Sequence, residues 1–265
     1  MKHSSRIPLG RHTQSGLTLV EFLVSVLLAL VVLGGVFVIF IATGASDRQQ
    51  RALGRMTEDA QVAMVLISRE LQMAGYMRIG TIGPNGTVAA NSTRPVFGCD
   101  AGFVDSKAPY ASATCPSPSP GRAQVRAHAL EINHEVTVDT TLLGTNGNPT
   151  DCQGNEVTTG LVSNRFFVDA NPSGESELYC ATIGKVPQPL VPQVAQVRFA
   201  YGVAPHWAIG DASTWRPQRF ISATDVEAQG LWSQVVAVRV CLLMRSTEPV
   251  LEAAAPPSTS DTAAR

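Results

Sequence analysis

The chain has 265 residues, a formal net charge of −1 and 45% hydrophobic residues. This length suits one sizeable globular domain with an appendage and is short for two full domains. The composition excludes disordered and fibrous classes, and the absence of a basic stripe disfavours nucleic acid as a direct partner.

The N-terminus combines a basic leader with a long apolar run. The first sixteen residues contain three basic side chains and no acid. From Phe22 to Ser46 there is no charged residue. As a helix, this run would extend about 37 Å, against about 30 Å for the hydrocarbon core of a bilayer. The sequence therefore predicts a leader at 1–16 and a membrane-spanning helix at 17–46.

An ordinary cleaved signal peptide is a competing interpretation, but its apolar region is usually only about 7–15 residues long. Glu21 also lies inside the apolar stretch. A carboxylate at the centre of a membrane helix costs about 2.5–3.5 kcal/mol, and less nearer the interface, so it calls for a partner. Cleavage between Gly16 and Leu17 would provide one, because the new α-amine of one subunit could pair with Glu21 of its neighbour.

The stretch from Ser15 to Ser25 resembles the processing signal of type IV prepilins and type II secretion pseudopilins. In that family a membrane peptidase cuts after the glycine and methylates the new N-terminus. The resemblance implies cleavage after Gly16, N-methylation of Leu17, an assembly role for Glu21 and a filament-core role for the helix at 17–46. Leucine replaces the usual phenylalanine at the first mature position, and the helix lacks the proline that many major pilins carry. An uncleaved signal anchor stays as an alternative.

The following residues form an amphipathic pattern. Apolar residues recur at steps of three and four from Leu53 to Ala74, and charged side chains lie mostly off this stripe. Gly75 and later glycines predict the end of the helix. We therefore expect an amphipathic continuation of the helix at 47–78 that packs on a core. The segment Ile67–Tyr76 also resembles PilW-type minor pilins.

Residues 79–248 predict a β-rich head, because runs rich in Val, Phe and Tyr are separated by turn-forming residues. In the last run, Val236, Val238 and Val240 are expected to share the inward face of a half-buried strand. The predicted fold class is α+β: a long N-terminal helix packed on an antiparallel sheet, as in pilins. Residues 249–265 predict a disordered tail. The predicted strands are Val125–Val138, Leu161–Val168, Glu177–Ile183, Val194–Val203 and Val235–Leu243.

The head contains five cysteines and no C-x-x-C pair, which disfavours a zinc site. An exported head is expected to form disulfides. We favour the pairs Cys99–Cys115 and Cys152–Cys180, although four cysteines allow other pairings. Each disulfide would close a loop of moderate length and contribute about 3 kcal/mol to stability. Cys241 lies in an apolar strand and is predicted to be a buried free thiol.

No catalytic or metal site is predicted. His128 and His134 could share a strand face, but no further ligand pattern accompanies them. No nucleophile motif such as G-x-S-x-G occurs, so we expect a protein that is not an enzyme and binds no cofactor. The three tryptophans are expected to anchor the core or loops rather than to form a ligand surface; they are Trp207, Trp215 and Trp232.

The C-terminal strands and Glu177–Cys180 resemble the end of PilW-type minor pilins. This resemblance implies a minor pilin that helps initiate assembly near the tip of a type IV pilus, and so supports adhesion, twitching motility or DNA uptake. The expected location is a single pass through the inner membrane with a periplasmic head, and the cell-surface pilus after assembly.

The implied partners are other major and minor pilins, the prepilin peptidase and the inner-membrane assembly platform. A tip adhesin is a further candidate, and membrane lipid surrounds the helix before assembly. Two alternatives stay open. One is a minor pseudopilin of type II secretion, and the other is a membrane-anchored binding protein that never polymerises.

Overall fold

The computed structural model describes residues 18–77, 94–117, 128–138, 141, 143–157, 160–204, 211 and 214–246. The predicted leader 1–16 and the predicted tail 249–265 lie outside these residues. The chain divides into two compact units, residues 1–51 and 52–265, and helix α1, Leu19–Met73, contributes to both.

Within the second unit, α1 packs on the head through one face. Ala63 and Ile67 are both 0% exposed and belong to the hydrophobic core. Leu53, the first position of the predicted stripe, is 53% exposed, so the prediction was wrong there. The packed face begins at Met56. Half-buried side chains complete this face; they are Met56, Ala60, Leu71 and Ala74.

Helix α1 ends at Met73, short of the predicted bound at 78. It stops before Gly75, one of the glycines that the sequence predicted to end the helix. The φ of Gly75, +76°, lies in the left-handed region that favours glycine, and an added Cβ would lie 3.0 Å from Cβ of Pro95. The Gly75 N–H donates to the carbonyl of Asn133 at 2.8 Å. The chain that leaves α1 is therefore held directly against the sheet.

The head contains two antiparallel sheets, which confirms the α+β class but replaces the single predicted sheet. The first follows chain order: β1 Val96–Cys99, β2 Ala129–Glu135, β3 Leu161–Ala170, β4 Ser176–Ala181 and β5 Gln188–Val191. The second has the order β7-β6-β8, with β6 Val194–Val203, β7 Arg219–Ile221 and β8 Val235–Met244. A short helix α2, Ala223–Ala228, and a 3-10 turn, Trp232–Gln234, connect β7 to β8.

The sequence missed β1, β5 and β7, which have only four, four and three residues. Segments this short contain too few alternations to reveal a period. The five longer strands coincide with predicted runs, and β6 matches its predicted bounds at both ends.

The inward faces of β6 and β8 close the core. Val197, Phe199 and Tyr201 are at most 2% exposed, whereas Arg198 between them is exposed, so the predicted alternation in β6 is confirmed. In β8 the prediction was wrong for Val236, which is 36% exposed. The register between β6 and β8 shifts where Val203 pairs with Val235, and such an irregularity turns the first residues of β8 relative to the rest.

Candidate assembly segment and the polar anchors of the head

Helix α1 begins with a side-chain cap that the sequence analysis missed. The Oγ1 of Thr18 accepts a hydrogen bond from the backbone N–H of Glu21 at 3.3 Å, and the Thr18 carbonyl accepts from the N–H of Phe22 at 3.1 Å. The spacing Thr-x-x-Glu is the sequence signature of a capping box. Glu21 thus stands in the first turn, where the helix dipole stabilises a negative charge.

The apolar part of α1 has no partner in this chain. Leu19–Phe40, 22 residues with a mean hydropathy of 3.0, is long and apolar enough to cross a membrane. None of its residues is buried by other parts of the described chain. Phe22, Phe37 and Phe40 are 62%, 64% and 73% exposed. Exposed apolar area of this extent is unfavourable in water, so this part of the helix is a candidate membrane anchor.

Gly16 and Leu17, the predicted cleavage pair, lie outside the described residues. Glu21 is described and is exposed. The α-amine that was predicted to neutralise its charge would belong to a neighbouring subunit. In a single chain, the Glu21 carboxylate is therefore accessible to such a partner.

The structure contains both disulfides that the sequence favoured. Cys99–Cys115 fastens the end of β1 to the segment that follows it, with Cα atoms 5.3 Å apart. Cys152–Cys180 fastens the loop before β3 to β4, with Cα atoms 6.3 Å apart. Both closures lie in the head, where they limit the freedom of two long connections.

The prediction that Cys241 is buried was wrong. Cys241 is free, as expected, but it is exposed on the outer face of β8, directly opposite Arg198 of β6. The period-two alternation that turns Val240 inward turns Cys241 outward, together with Arg239. The sequence therefore carried the signal, and the apolar composition of the strand concealed it.

A buried ion pair holds a loop on the outer face of the five-stranded sheet. Arg165 of β3 and Glu131 of β2 are both 0% exposed, and their side chains approach to 2.6 Å. The same guanidinium donates to the carbonyls of Ser106, Ala108 and Pro109 at 2.8 to 3.1 Å. An unpaired charge would be costly in this buried position, but each nitrogen of the guanidinium has a hydrogen-bond acceptor.

Two polar neighbours extend this network. Asn133 of β2 donates through Nδ2 to Oε1 of Glu131 at 3.0 Å and to the carbonyl of Arg94 at 2.9 Å. The hydroxyl of Ser163 donates to Oδ1 of Asn133 at 2.5 Å. Polar residues at alternate positions of two paired strands were the available sequence signal, since such residues share one face.

A second polar anchor joins α1 to the opposite face of that sheet. Asn164 is fully buried and donates through Nδ2 to Glu70 at 2.8 Å, and its Oδ1 accepts from the N–H of Cys152 at 3.3 Å. Burial raises the pKa of Glu70 above its usual range, and the hydrogen bond from Asn164 opposes that shift. Glu70 is thus an exception to the expectation that charged residues lie off the packed stripe.

The histidines occupy separate environments. His128 accepts at Nδ1 from the N–H of Phe199 at 3.1 Å and lies 3.6 Å from Asp100. His134 is 1% exposed, and neither ring nitrogen has a hydrogen-bond partner in the described part of the chain. Burial lowers the pKa of His134 to about 4. Among the described residues, no cluster of three or more His, Cys, Asp or Glu side chains could hold a metal ion.

The tryptophans divide between core and surface. Trp232 is 7% exposed and packs edge-on against Phe97 and Tyr201, with ring centroids 5.0 Å apart in each case. Its indole N–H donates to Glu227 at 2.5 Å. Trp215 is 51% exposed, and Trp207 lies outside the described residues. The expected core anchoring therefore applies to Trp232.

A comparison with protein families finds a match in the C-terminal part of the head. Residues 165–264 match the family model described as PilW, type IV pilus-assembly protein W. Over this part, the chain is similar to type IV pilus-assembly proteins of the PilW type. The match starts at Arg165 in β3 and runs through β4 to β8, so it includes the C-terminal strands that suggested the resemblance. No curated protein and no solved structure matches the chain significantly.

The family match and the apolar helix come from different parts of the sequence. The matched region excludes α1, β1 and β2. The helix is therefore an independent observation, and it is a candidate membrane anchor.

Proposed function

We propose that this protein is a minor pilin that helps initiate assembly near the tip of a type IV pilus. It enters the inner membrane as a prepilin with its head in the periplasm, loses its leader after Gly16, and is methylated at Leu17. The observation that carries the proposal is the coexistence of a PilW-type head with an apolar N-terminal helix that contains one acid in its first turn.

The energetics of the helix support a role in a filament. A 22-residue apolar surface without a partner in its own chain is stable in a bilayer or among similar helices. Glu21 is the one ionisable side chain of this span, and a polar group in such a setting gains most from a partner of opposite charge. A free α-amine at Leu17 of a neighbouring subunit would be that partner.

In this proposal the head works as a structural subunit rather than as an enzyme. Its buried polar side chains hold elements of the fold together: Arg165 donates to three loop carbonyls, and Asn164 of β3 donates to Glu70 of α1. Its partners are other pilins, the prepilin peptidase and the inner-membrane assembly platform, and assembly in turn supports adhesion, twitching motility or DNA uptake.

The deciding measurement is the mass of the mature N-terminal peptide from protein isolated from its native membrane. We expect a start at Leu17 and a mass about 14 Da above that of the unmodified peptide, for one methyl group. Replacement of Gly16 by a bulkier residue should leave the leader attached. A start near Ser46, or an intact leader in the native protein, would refute processing as a pilin.

A second test concerns Glu21. We expect Glu21→Ala to leave membrane insertion and cleavage intact and to reduce recovery of the protein in sheared pili. Glu21→Gln keeps a capping-box residue but removes the charge, so it separates pairing with the amine from helix capping. Glu58→Ala, at an exposed position of α1 beyond the apolar span, is the matched control. Normal recovery of Glu21→Gln would contradict a role for the charge.

A further inference from the structure

The two sheets of the head differ in charge. The strands of the five-stranded sheet contain four acids, Glu131, Glu135, Asp169 and Glu177, and the single base Arg165. The three-stranded sheet contains three arginines, one in each strand, and no Asp or Glu. In a chain with a net charge of −1, this segregation gives one sheet a positive outer surface.

Two of these arginines share that outer face with the free thiol. In the register of β6 and β8, Arg198 is opposite Cys241 and Ala200 is opposite Arg239. Arg198, Arg239 and Cys241 are all exposed, whereas the alternate residues of β6 are buried in the core. The face is therefore a fixed part of a folded sheet rather than a flexible loop.

Neither arginine is neutralised within the described chain. No carboxylate of the described residues forms a salt bridge with Arg198 or Arg239. The guanidinium of Arg239 lies 4.1 Å from the ring centroid of Phe220, a cation–π contact that orients it without removing its charge. Arg245, which follows the end of β8, lines a cavity with Glu175 of the same chain, so an acid lies near its charge and it is not part of this face.

The position of β8 makes this outer face accessible to a partner. β8 is an outer strand of its sheet, and it pairs only with β6 among the described strands. Leu243, on the same outer side as Arg239 and Cys241, is 59% exposed. A partner can thus approach two exposed cations and an apolar side chain without displacing any described element of the head.

We propose that this arginine face, made of Arg198, Arg239, Cys241 and Phe220, docks a carboxylate-bearing surface of a neighbouring pilus subunit. The inference rests on the proposed function, because it assumes that the head is placed among other subunits. Arginine suits this role, since its planar fork binds carboxylates in a bidentate manner, and like-charged surfaces are rejected at the same time.

Cys241 is a natural probe for this contact. The other four cysteines are held in disulfides, so Cys241 is the reactive thiol of the unreduced chain. The experiment compares the rate of labelling by a bulky, membrane-impermeant maleimide in sheared pili and in the purified full-length chain in detergent. We expect labelling to be at least about tenfold slower in pili, because a docked subunit covers the face.

Charge reversal tests the chemistry of the partner. Arg198→Glu combined with Arg239→Glu should lower recovery of the chain in pili by about tenfold or more, because like charges would then meet. Lys107→Glu combined with Lys185→Glu makes the same change of charge at exposed turns of the head and should leave recovery unchanged. Equal unfolding midpoints of the two purified variants would show that the effect is not a loss of stability.

Each result has one meaning. Equal labelling of Cys241 in pili and in detergent, with the chain present in pili, overturns the docking face and leaves the proposed function intact. Protection that appears in the purified chain as its concentration rises assigns the face to a second copy and overturns the neighbouring subunit. Normal recovery of the arginine variant overturns the role of Arg198 and Arg239 in docking. Absence of the chain from pili refutes the proposed function and this inference together.

Discussion

The two parts of helix α1 satisfy their apolar side chains in different ways. In Leu19–Phe40 every residue is uncovered in the single chain, and Ile39 is 64% exposed. In the part within the second unit, Ile67 is 0% exposed and packs in the head's core. Isoleucine in the same helix is thus available to lipid or another subunit at position 39 and is part of the folded core at position 67.

This difference indicates which element of the protein depends on assembly. The head closes its core with its strands and the second part of α1, and two disulfides and buried polar anchors hold it together. The apolar span gains nothing from the fold of its own chain. A change in the head should therefore alter the free energy of unfolding, whereas a change in the span should alter membrane insertion or incorporation.

The largest effect is expected at the buried ion pair. Arg165→Met should reduce the free energy of unfolding by about 3–5 kcal/mol, because Glu131 would be left buried without its cation. Three loop carbonyls would lose their donors as well. Chemical denaturation of the full chain in detergent gives this value. Arg198→Met, on the exposed face of β6, is the matched control and should change it by less than about 0.5 kcal/mol.

Two isoleucines test the difference between the two parts of helix α1. Ile67→Ala should lower the free energy of unfolding of the head by about 2–5 kcal/mol, since it opens a cavity in the core. Ile39→Ala removes the same atoms from the apolar span and should leave that free energy unchanged. Similar losses from both substitutions, measured by denaturation under the same conditions, would mean that the span is part of the folding unit of the head.

Acidification should weaken the head through His134. Its pKa is lowered to about 4 by burial, against about 6.5 in an unfolded chain. Between these values the unfolded state binds more protons, so this residue makes the free energy of unfolding fall as pH drops from about 6.5 to about 4. The loss amounts to about 3 kcal/mol over the whole window, at about 1.4 kcal/mol for each unit of pKa difference.

The measurement is unfolding of the wild type and of His134→Leu across this range of pH. The variant should show a shallower decline, and at pH 7 it should be no less stable, because the unpartnered ring nitrogens are removed. The raised pKa of Glu70 contributes in the opposite direction, since its folded form holds a proton more tightly, and it acts equally in both proteins. Parallel curves would exclude His134 as a source of acid sensitivity.

The smallest effect is expected at the start of α1. Thr18→Ala removes the side-chain acceptor of the Glu21 N–H and should cost the first turn about 1 kcal/mol. Amide hydrogen exchange in detergent should accelerate about fivefold at Glu21 and remain unchanged in the second part of the helix. Ser25→Ala is the control, because its hydroxyl donates to the Glu21 carbonyl within the helix and caps nothing. Equal exchange at Glu21 in both variants would contradict the cap.

The sequence predicted those features that depend on neighbouring residues. Hydropathy identified the apolar span, three- and four-residue steps identified the packed face around Ala63 and Ile67, and alternation identified β6. These patterns are readable because each is repeated several times within one element. The capping sequence from Thr18 to Glu21 was equally local and was overlooked.

Other features followed from contacts between distant residues. Gly98 must lack a side chain because a Cβ there would overlap the hydroxyl of Tyr201, more than a hundred positions away. Glu131 finds Arg165 only through the register of β2 and β3. Asp100 binds the N–H groups of Ala223 and Thr224 at the start of α2. A single sequence does not encode such registers in any periodic form.

The sequence by itself thus determined that the protein has an apolar helix with one acid, an amphipathic continuation and a β-rich head with cysteines suited to disulfides. Hydrophobicity and period are properties of consecutive residues, and they persist whatever the rest of the chain does. Only the tertiary structure decided that the head has two sheets, that Arg165 is buried with Glu131, and that Cys241 faces outward between arginines. Those outcomes depend on which strands pair and which face of each strand the core covers, and that choice is made by the whole fold at once.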